Sequence, residues 1–261
     1  MIRYNLRTLL KNKVLWAWPI VYFLFTLVIF AWGDITSAQN SYSFILVLGG
    51  VHISSSMFIS QFVSITTLIT VVGLPSHFFK NLKSERAALL LSKPISRSDF
   101  FLADFASVMI LAFFYTFICI MLLAILMAVK AAIFPFQLFL GFLLFLPLLL
   151  LTYYITIVLI LILTNSFLGA VFFGYFLTGF SSLFLDIKQI FRFFGIKSKL
   201  AHVAITLLSY LIPSAEGAER ILNQIFSGGF TAIDGSLFVF VLVSCLPFGL
   251  LSYYLFLKKE F

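Results

Sequence analysis

Charge is what this chain has least of. Only 10% of its 261 residues are Asp, Glu, Lys or Arg, and that scarcity excludes an ordinary soluble domain, whose surface needs about a quarter of its residues charged. There are just two cysteines, Cys119 and Cys245, both inside apolar runs. They offer neither a disulfide framework nor metal-ligand spacing, and read as buried, inert thiols. No Asp, Glu, Lys or Arg falls in the middle of an apolar run, which argues against a proton- or sodium-coupled carrier and against a channel with a charged ring. The histidines His52, His77 and His202 are too dispersed for a metal site, and each is expected to pack at an interface. No serine has a histidine and a carboxylate close by in a pattern that would make a triad, so an intramembrane hydrolase has no support.

What the chain has instead is apolar mass: 62% hydrophobic residues, 18% aromatic, thirty-five of them phenylalanine. Six charge-free stretches reach the ~20 residues needed to cross the hydrocarbon layer. They run from Val14 to Trp32, Ile53 to Leu74, Phe105 to Val129, Leu138 to Leu163, Phe167 to Leu185, and Leu237 to Leu257. Backbone groups in lipid must be satisfied within each span, and these stretches are too long for barrel strands. The expected fold is an all-α polytopic membrane protein of six transmembrane helices, a single domain over residues 1–261. The first stretch is read as a permanent span and not a secretory signal, because Gly33, Asp34, Ile35 and Thr36 follow it and not a small-residue cleavage site.

The net charge of +8 could point to nucleic acid, but the basic residues sit beside the spans, where they set topology. Arg3, Arg7, Lys11 and Lys13 precede the first span; Lys80, Lys83, Arg86, Lys93 and Arg97 lie between the second and third; Lys258 and Lys259 end the chain. Six spans place all three groups on one side, cytoplasmic by the positive-inside rule, with both termini there. The residues from Asp186 to Gly235 are then external, although Lys188, Arg192, Lys197, Lys199 and Arg220 lie among them. Asp186, Glu216, Glu219 and Asp234 nearly balance those charges. Within this segment the apolar piece from His202 to Ile212 is too short for a seventh span and is expected to form a re-entrant or interfacial helix stopped at Pro213. At the start, Ile2, Leu6, Leu9 and Leu10 share one helical arc and Arg7 and Lys11 another, which predicts an amphipathic helix in the headgroup layer.

The interruption between Phe79 and Phe101 carries the most functional information. Ser84 can cap a helix whose first turn holds Glu85 and whose body is leucine-rich. Pro94 ends that helix, and Ser96 can cap the next, with Asp99 three positions on. The product is a short helix held across the membrane surface by a fixed turn, able to pass a push to both flanking spans. The plainer alternative is a solvated loop whose charges only anchor the bilayer. The loop after the fourth span, Thr164 to Ser166, is too short to present a docking surface.

The residues Ser84-Glu85-Arg86, a leucine run, and then Lys93-Pro94-Ile95-Ser96-Arg97-Ser98-Asp99-Phe100-Phe101-Leu102-Ala103-Asp104 resemble the signature of the type-2 permease family of ATP-binding-cassette (ABC) transporters. A weaker likeness covers Leu208 to Asn223, similar to the proline-centred external segment before that family's last span. Ala87 and Ala88 stand where the family usually has a glycine, and Ala103-Asp104 where it often has Gly-Lys. The resemblance implies a membrane subunit that pairs with a second permease copy or paralogue and is driven by two separate ABC ATPase subunits. Those partners would bind ATP and Mg; this chain, with no G-x-x-x-x-G-K-S/T loop, would bind no cofactor. The expected ATPase-docking residues are Glu85, Arg86, Leu89, Leu90, Lys93, Pro94 and Arg97. The expected location is the inner membrane of a prokaryotic cell.

Across the second span Ser56, Ser60, Ser64 and Thr67 recur at helical spacing. They either line a conduit or serve as small-residue glue between helices. The resemblance favours the conduit, with Gly174, Tyr175, Thr178, Gly179 and Ser182 of the fifth span as its other wall, and hydroxyls among phenylalanines suit amphipathic or lipid-like cargo. Two readings from other classes stand beside the exporter: a non-transporting membrane scaffold that recruits a cytoplasmic partner through the same helix, and a membrane enzyme acting on lipid, for which the chain shows no clustered catalytic set.

Overall fold

The computed structural model describes residues 2–37, 44–82, 96–131, 136–180, 191, 199–228 and 233–259. The chain opens with α1 (Ile2–Leu10) and α2 (Lys13–Trp32), passes through strands β1 (Gly33–Ser37), β2 (Phe44–Leu48) and β3 (Val51–Ser54), and enters α3 (Ser55–Leu82). Then follow α4 (Arg97–Ala131), α5 (Phe136–Thr164), α6 (Phe167–Phe180), α7 (Lys199–Leu211), α8 (Ala215–Gly228) and α9 (Gly235–Lys258). Five of these, α2, α3, α4, α5 and α9, are long and apolar enough to cross a membrane. The apolar helix α6 has 14 residues, and the rest of the stretch expected as the fifth span, through Leu185, lies outside the described residues.

The helix α5 is the axis of the bundle. Of its apolar stretch, 83% is buried inside the protein, against 28% for α2 and 22% for α9; α3, α4, α6, α8 and α9 all pack against it. Close approach is bought with glycine at three helix crossings, one of them Gly141 of α5, whose added Cβ would stand 2.6 Å from Ile225 of α8. A Cβ added to Gly174 of α6 would stand 2.5 Å from Ile157 of α5, and one added to Gly217 of α8 would stand 2.7 Å from Val241 of α9. None of these gaps admits a side chain, so these crossings depend on the missing Cβ. Gly179, paired with Gly174 in the sequence reading, meets nothing within 4 Å.

The expectation of an all-α fold is corrected by an antiparallel sheet in the order β1-β2-β3, joining α2 to α3. Leu48 faces Val51 across Gly49-Gly50, and both glycines have positive φ, 57° and 83°, as a two-residue hairpin turn requires. Ile45, Val47, Val51 and Ile53 supply the β-branched residues that favour strands. Ile53, expected to begin the second span, therefore belongs to β3, and the helix starts at Ser55 with the Met57 amide donating to the Ser54 hydroxyl at 3.4 Å.

The helix α1 forms where amphipathicity predicts it, but its packed face is Asn5 and Leu9, fully buried, while Ile2 and Leu10 stay exposed. It lies against α4, α2 and α3. The segment expected to be external yields α7 and α8, broken at Pro213 as expected. Ser214 then caps α8, its hydroxyl accepting from the Gly217 amide at 3.0 Å, and its own amide donates to the Ser244 hydroxyl at 3.4 Å. Since Ser244 is the tenth residue of α9, the turn reaches about 14 Å along that helix. The buried face of α8 is Ala215, Ala218, Ile221, Leu222 and Ile225. On its partly exposed side Arg220 pairs with Glu216 at 2.8 Å.

Candidate functional site

The end of the bundle where α3 stops and α4 starts is where the chain places its polar side chains most deliberately. His77 and Asn81, one turn apart on α3, share a face, and both are buried. His77 Nδ1 lies 2.9 Å from Asp104 Oδ1 on α4, and the Tyr154 hydroxyl of α5 donates to Asp104 Oδ2 at 2.6 Å. The Asn81 amide nitrogen lies 3.4 Å from both imidazole nitrogens. Asp104 is fully buried and His77 is 3% exposed. A carboxylate so placed is tolerated because both its oxygens are engaged, and the result is a cross-brace that ties three helices together.

A second set of contacts latches the same end. Arg97, the first residue of α4, donates through one guanidinium nitrogen to the Leu257 carbonyl at 2.9 Å and the Lys259 carbonyl at 2.7 Å. A cation there meets the orphan carbonyls and negative dipole end of α9. Ser98 and Tyr253 share a hydroxyl contact at 2.8 Å. Lys259 in turn donates to the Ile162 carbonyl at 2.8 Å and to the Asn165 side chain, closing the end of α5; burial lowers its ammonium pKa. Asn165 holds φ 54°, a left-handed conformation that asparagine accepts more readily than most residues, and Ser166 caps α6 by accepting from the Gly169 amide at 3.3 Å. Aromatic packing fills the space between: Phe100 stacks on Phe256 at 5.7 Å, and Phe78 and Phe101 meet edge to face at 6.0 Å.

Of the expected docking residues, Glu85, Arg86, Leu89, Leu90, Lys93 and Pro94 lie outside the described residues, and Arg97 is turned onto the end of α9. Of the expected conduit residues, Ser56 and Ser60 fall in the first turns of α3. Ser64 is exposed, whereas Thr67 is buried. Tyr175 stacks on Tyr153 at 5.6 Å, and Thr178 is buried with its hydroxyl returned to the Gly174 and Tyr175 carbonyls. The helices α3 and α6 do pack against each other.

The cross-brace was not anticipated. His77 had been expected to pack at an interface and Asp104 to mark the mouth of the third span. Their positions held the signal: they lie two and three residues outside the Phe79–Phe101 interruption, one to two turns from the facing ends of α3 and α4. His52, by contrast, sits exposed on β3. Further along the bundle the Tyr22 and Thr66 hydroxyls meet at 2.5 Å between α2 and α3.

Helices of this length and polarity, with ionisable groups paired inside the bundle, define a multi-pass integral membrane protein. No protein-family model matches the chain, and no curated protein sequence matches it.

Proposed function

We propose that this chain is the transmembrane subunit of an ABC exporter of the type-2 permease class, with six spans, the fifth continuing α6 through Leu185. In this reading α1, the start of α4 and the end of α9 face the cytoplasm, and α7 and α8 form an external re-entrant hairpin. A second permease copy or paralogue completes the translocation path along α3 and α6, and two separate ATPase subunits supply ATP hydrolysis. The residues from Glu85 to Lys93 are the docking element, and the cargo is amphipathic or lipid-like.

The observation that carries this reading is the cross-brace and latch at the base of α3 and α4. A lever between two spans does work only if both spans are held at a fixed spacing where it joins them. Here His77, Asp104 and Tyr154 lock α3 to α4 and α5, and Arg97 fastens the start of α4 to the end of α9. A push delivered between residues 83 and 95 therefore reaches four helices as one body.

The test is affinity purification from the native host in mild detergent, with mass spectrometry of co-purifying chains. The expected result is near-stoichiometric recovery of an ATP-binding-cassette subunit, lost when Glu85 to Lys93 is scrambled. Charge reversal at Glu85 or Arg86 is expected to uncouple ATP turnover from transport in a protein that still inserts and folds. Recovery with a non-ATPase partner would replace the exporter with a scaffold.

A further inference from the structure

We propose that Glu219 is the carboxylate of a binding site, between α5, α6 and α8, for the ammonium group of an amphipathic organic cation. No ionisable residue lies in the middle of an apolar run of the sequence, but the fold carries this one in from outside them. Glu219 stands four residues after Ala215 and three before Leu222, so it shares their face of α8, and both of them are buried. The helix α8 packs against α5, α6 and α9. Its start is tied to Ser244, the tenth residue of α9, and near its end Ile225 lies against Gly141, the sixth residue of α5. Glu219, between those two anchors, therefore lies within the length of α5 and α9 and not beyond their ends.

What this carboxylate lacks is a countercharge. Among the described residues it makes no hydrogen bond and no ion pair. Arg220, the next residue, is committed to Glu216 through Nε at 3.1 Å and a terminal guanidinium nitrogen at 2.8 Å. Burial, and then the neighbouring Glu216 charge, push the Glu219 pKa up, as expected for an acid held in apolar surroundings. An ionisable group left unpaired at such depth destabilises the fold, and in membrane bundles such groups mark ligand and ion sites.

The surroundings select the occupant. Tyr153 of α5 lies within electrostatic reach of Glu219, and its hydroxyl meets that of Thr178 on α6. Tyr175 stacks on Tyr153 with planes 18° apart and remains 49% exposed. One carboxylate and two hydroxyls are too few oxygens for a calcium or magnesium ion. An ammonium group is satisfied by a single carboxylate and is attracted to aromatic faces, and the exposed Tyr175 ring gives the apolar body of the ligand a surface to lie on. Tyr175 and Thr178 are the residues expected to wall the conduit, so the site narrows the cargo to cationic amphiphiles. That last step rests on the exporter reading; the binding itself does not.

The experiment uses the purified full chain in dodecyl maltoside, with benzyltrimethylammonium as the ligand probe and dicyclohexylcarbodiimide, which adds to protonated carboxyls in apolar surroundings, as the label. Peptide mass spectrometry should find Glu219 labelled in the wild type. Probe at about ten times its dissociation constant should slow that labelling about tenfold, while benzyl alcohol, an uncharged relative of the probe, leaves it unchanged. In equilibrium dialysis Glu219→Gln, which keeps the shape and removes the charge, should weaken probe binding at least about tenfold. Labelling at Glu219 that the probe does not slow would mean a protonated structural carboxyl only and overturn the site, as would the absence of label at Glu219 or unchanged binding in Glu219→Gln. Because labelling and protection are read on the wild type, a misfolded variant would not shield the proposal. Co-purification of an ATPase is a separate measurement, so failure of this site and failure of the exporter assignment are told apart.

Discussion

Removing the Asp104 carboxylate is the sharpest probe of the bundle's polar core. The side chain lies fully buried, 2.9 Å from His77 Nδ1 and 2.6 Å from the Tyr154 hydroxyl. Asp104→Ala leaves both partners unsatisfied in a site that offers them no water, and at about 1–3 kcal/mol for each stranded buried group the two together cost about 3–5 kcal/mol. Tyr154→Phe removes one donor and leaves the carboxylate its other contact, so about 0.6–2 kcal/mol is expected, the lower end reflecting hydrogen bonds measured within membranes. At about 2–4 °C per kcal/mol for a chain of this size, Asp104→Ala should lower the unfolding midpoint by about 6–20 °C and Tyr154→Phe by a few degrees. The assay is thermal unfolding in mild detergent, followed by intrinsic fluorescence, with the His77→Ala and Tyr154→Phe pair run as a double-mutant cycle. Because both act on the same carboxylate, their coupling should exceed about 0.5 kcal/mol. An Asp104→Ala protein that inserts normally and melts within about 2 °C of wild type would refute the cross-brace.

Arg97→Ala removes both carbonyl contacts at once, so hydrogen exchange at Phe256 to Lys259 should quicken severalfold; unchanged exchange would remove the latch. Gly174→Ala drives a Cβ to 2.5 Å from Ile157 and to 3.2 Å from that residue's backbone, an overpacking cost of about 1–3 kcal/mol. Gly179→Ala, with nothing within 4 Å, should cost nothing measurable in the same melt. Asp234 caps α9 through its carboxylate, which accepts from the Ser236 amide at 2.9 Å and hydroxyl at 2.7 Å; these bonds lower its pKa. A depressed carboxyl pKa gives protection that is complete above the ordinary aspartate range and lost as pH falls through the lowered value. Protection factors at the first turn of α9, which remove the intrinsic pH dependence of exchange, should therefore fall in acid in wild type, while Asp234→Ala shows the low protection at every pH.

The two helical expectations that failed in detail did so for identifiable reasons. Hydropathy runs straight through Ile53, but Gly49-Gly50 imposes a hairpin that hydropathy does not weigh, and the strand claims Ile53. On α1 the apolar arc was legible, yet Asn5 is buried and Ile2 is exposed, because the orientation of a short surface helix is decided by the α4 surface it meets. The glycines of α6 show the same limit. Gly174 and Gly179 look equivalent along the chain, and only the path of α5 makes one a contact and the other open space.

Sequence alone determined the class of solvent this protein inhabits, the helical form of its spans, the placing of most of them, and the break at Pro213. Those follow from local quantities: runs of apolar residues, the absence of charge within them, and the backbone limits of proline and glycine. Only the tertiary structure decided that α5 is the axis, that His77, Asp104 and Tyr154 converge, and that Arg97 and Lys259 close the ends of α9 and α5. Those residues are 27, 50 and up to 162 positions apart. Contacts over such separations are fixed by how helices cross, which depends on where a Cβ is missing and where a buried polar group must find its partner.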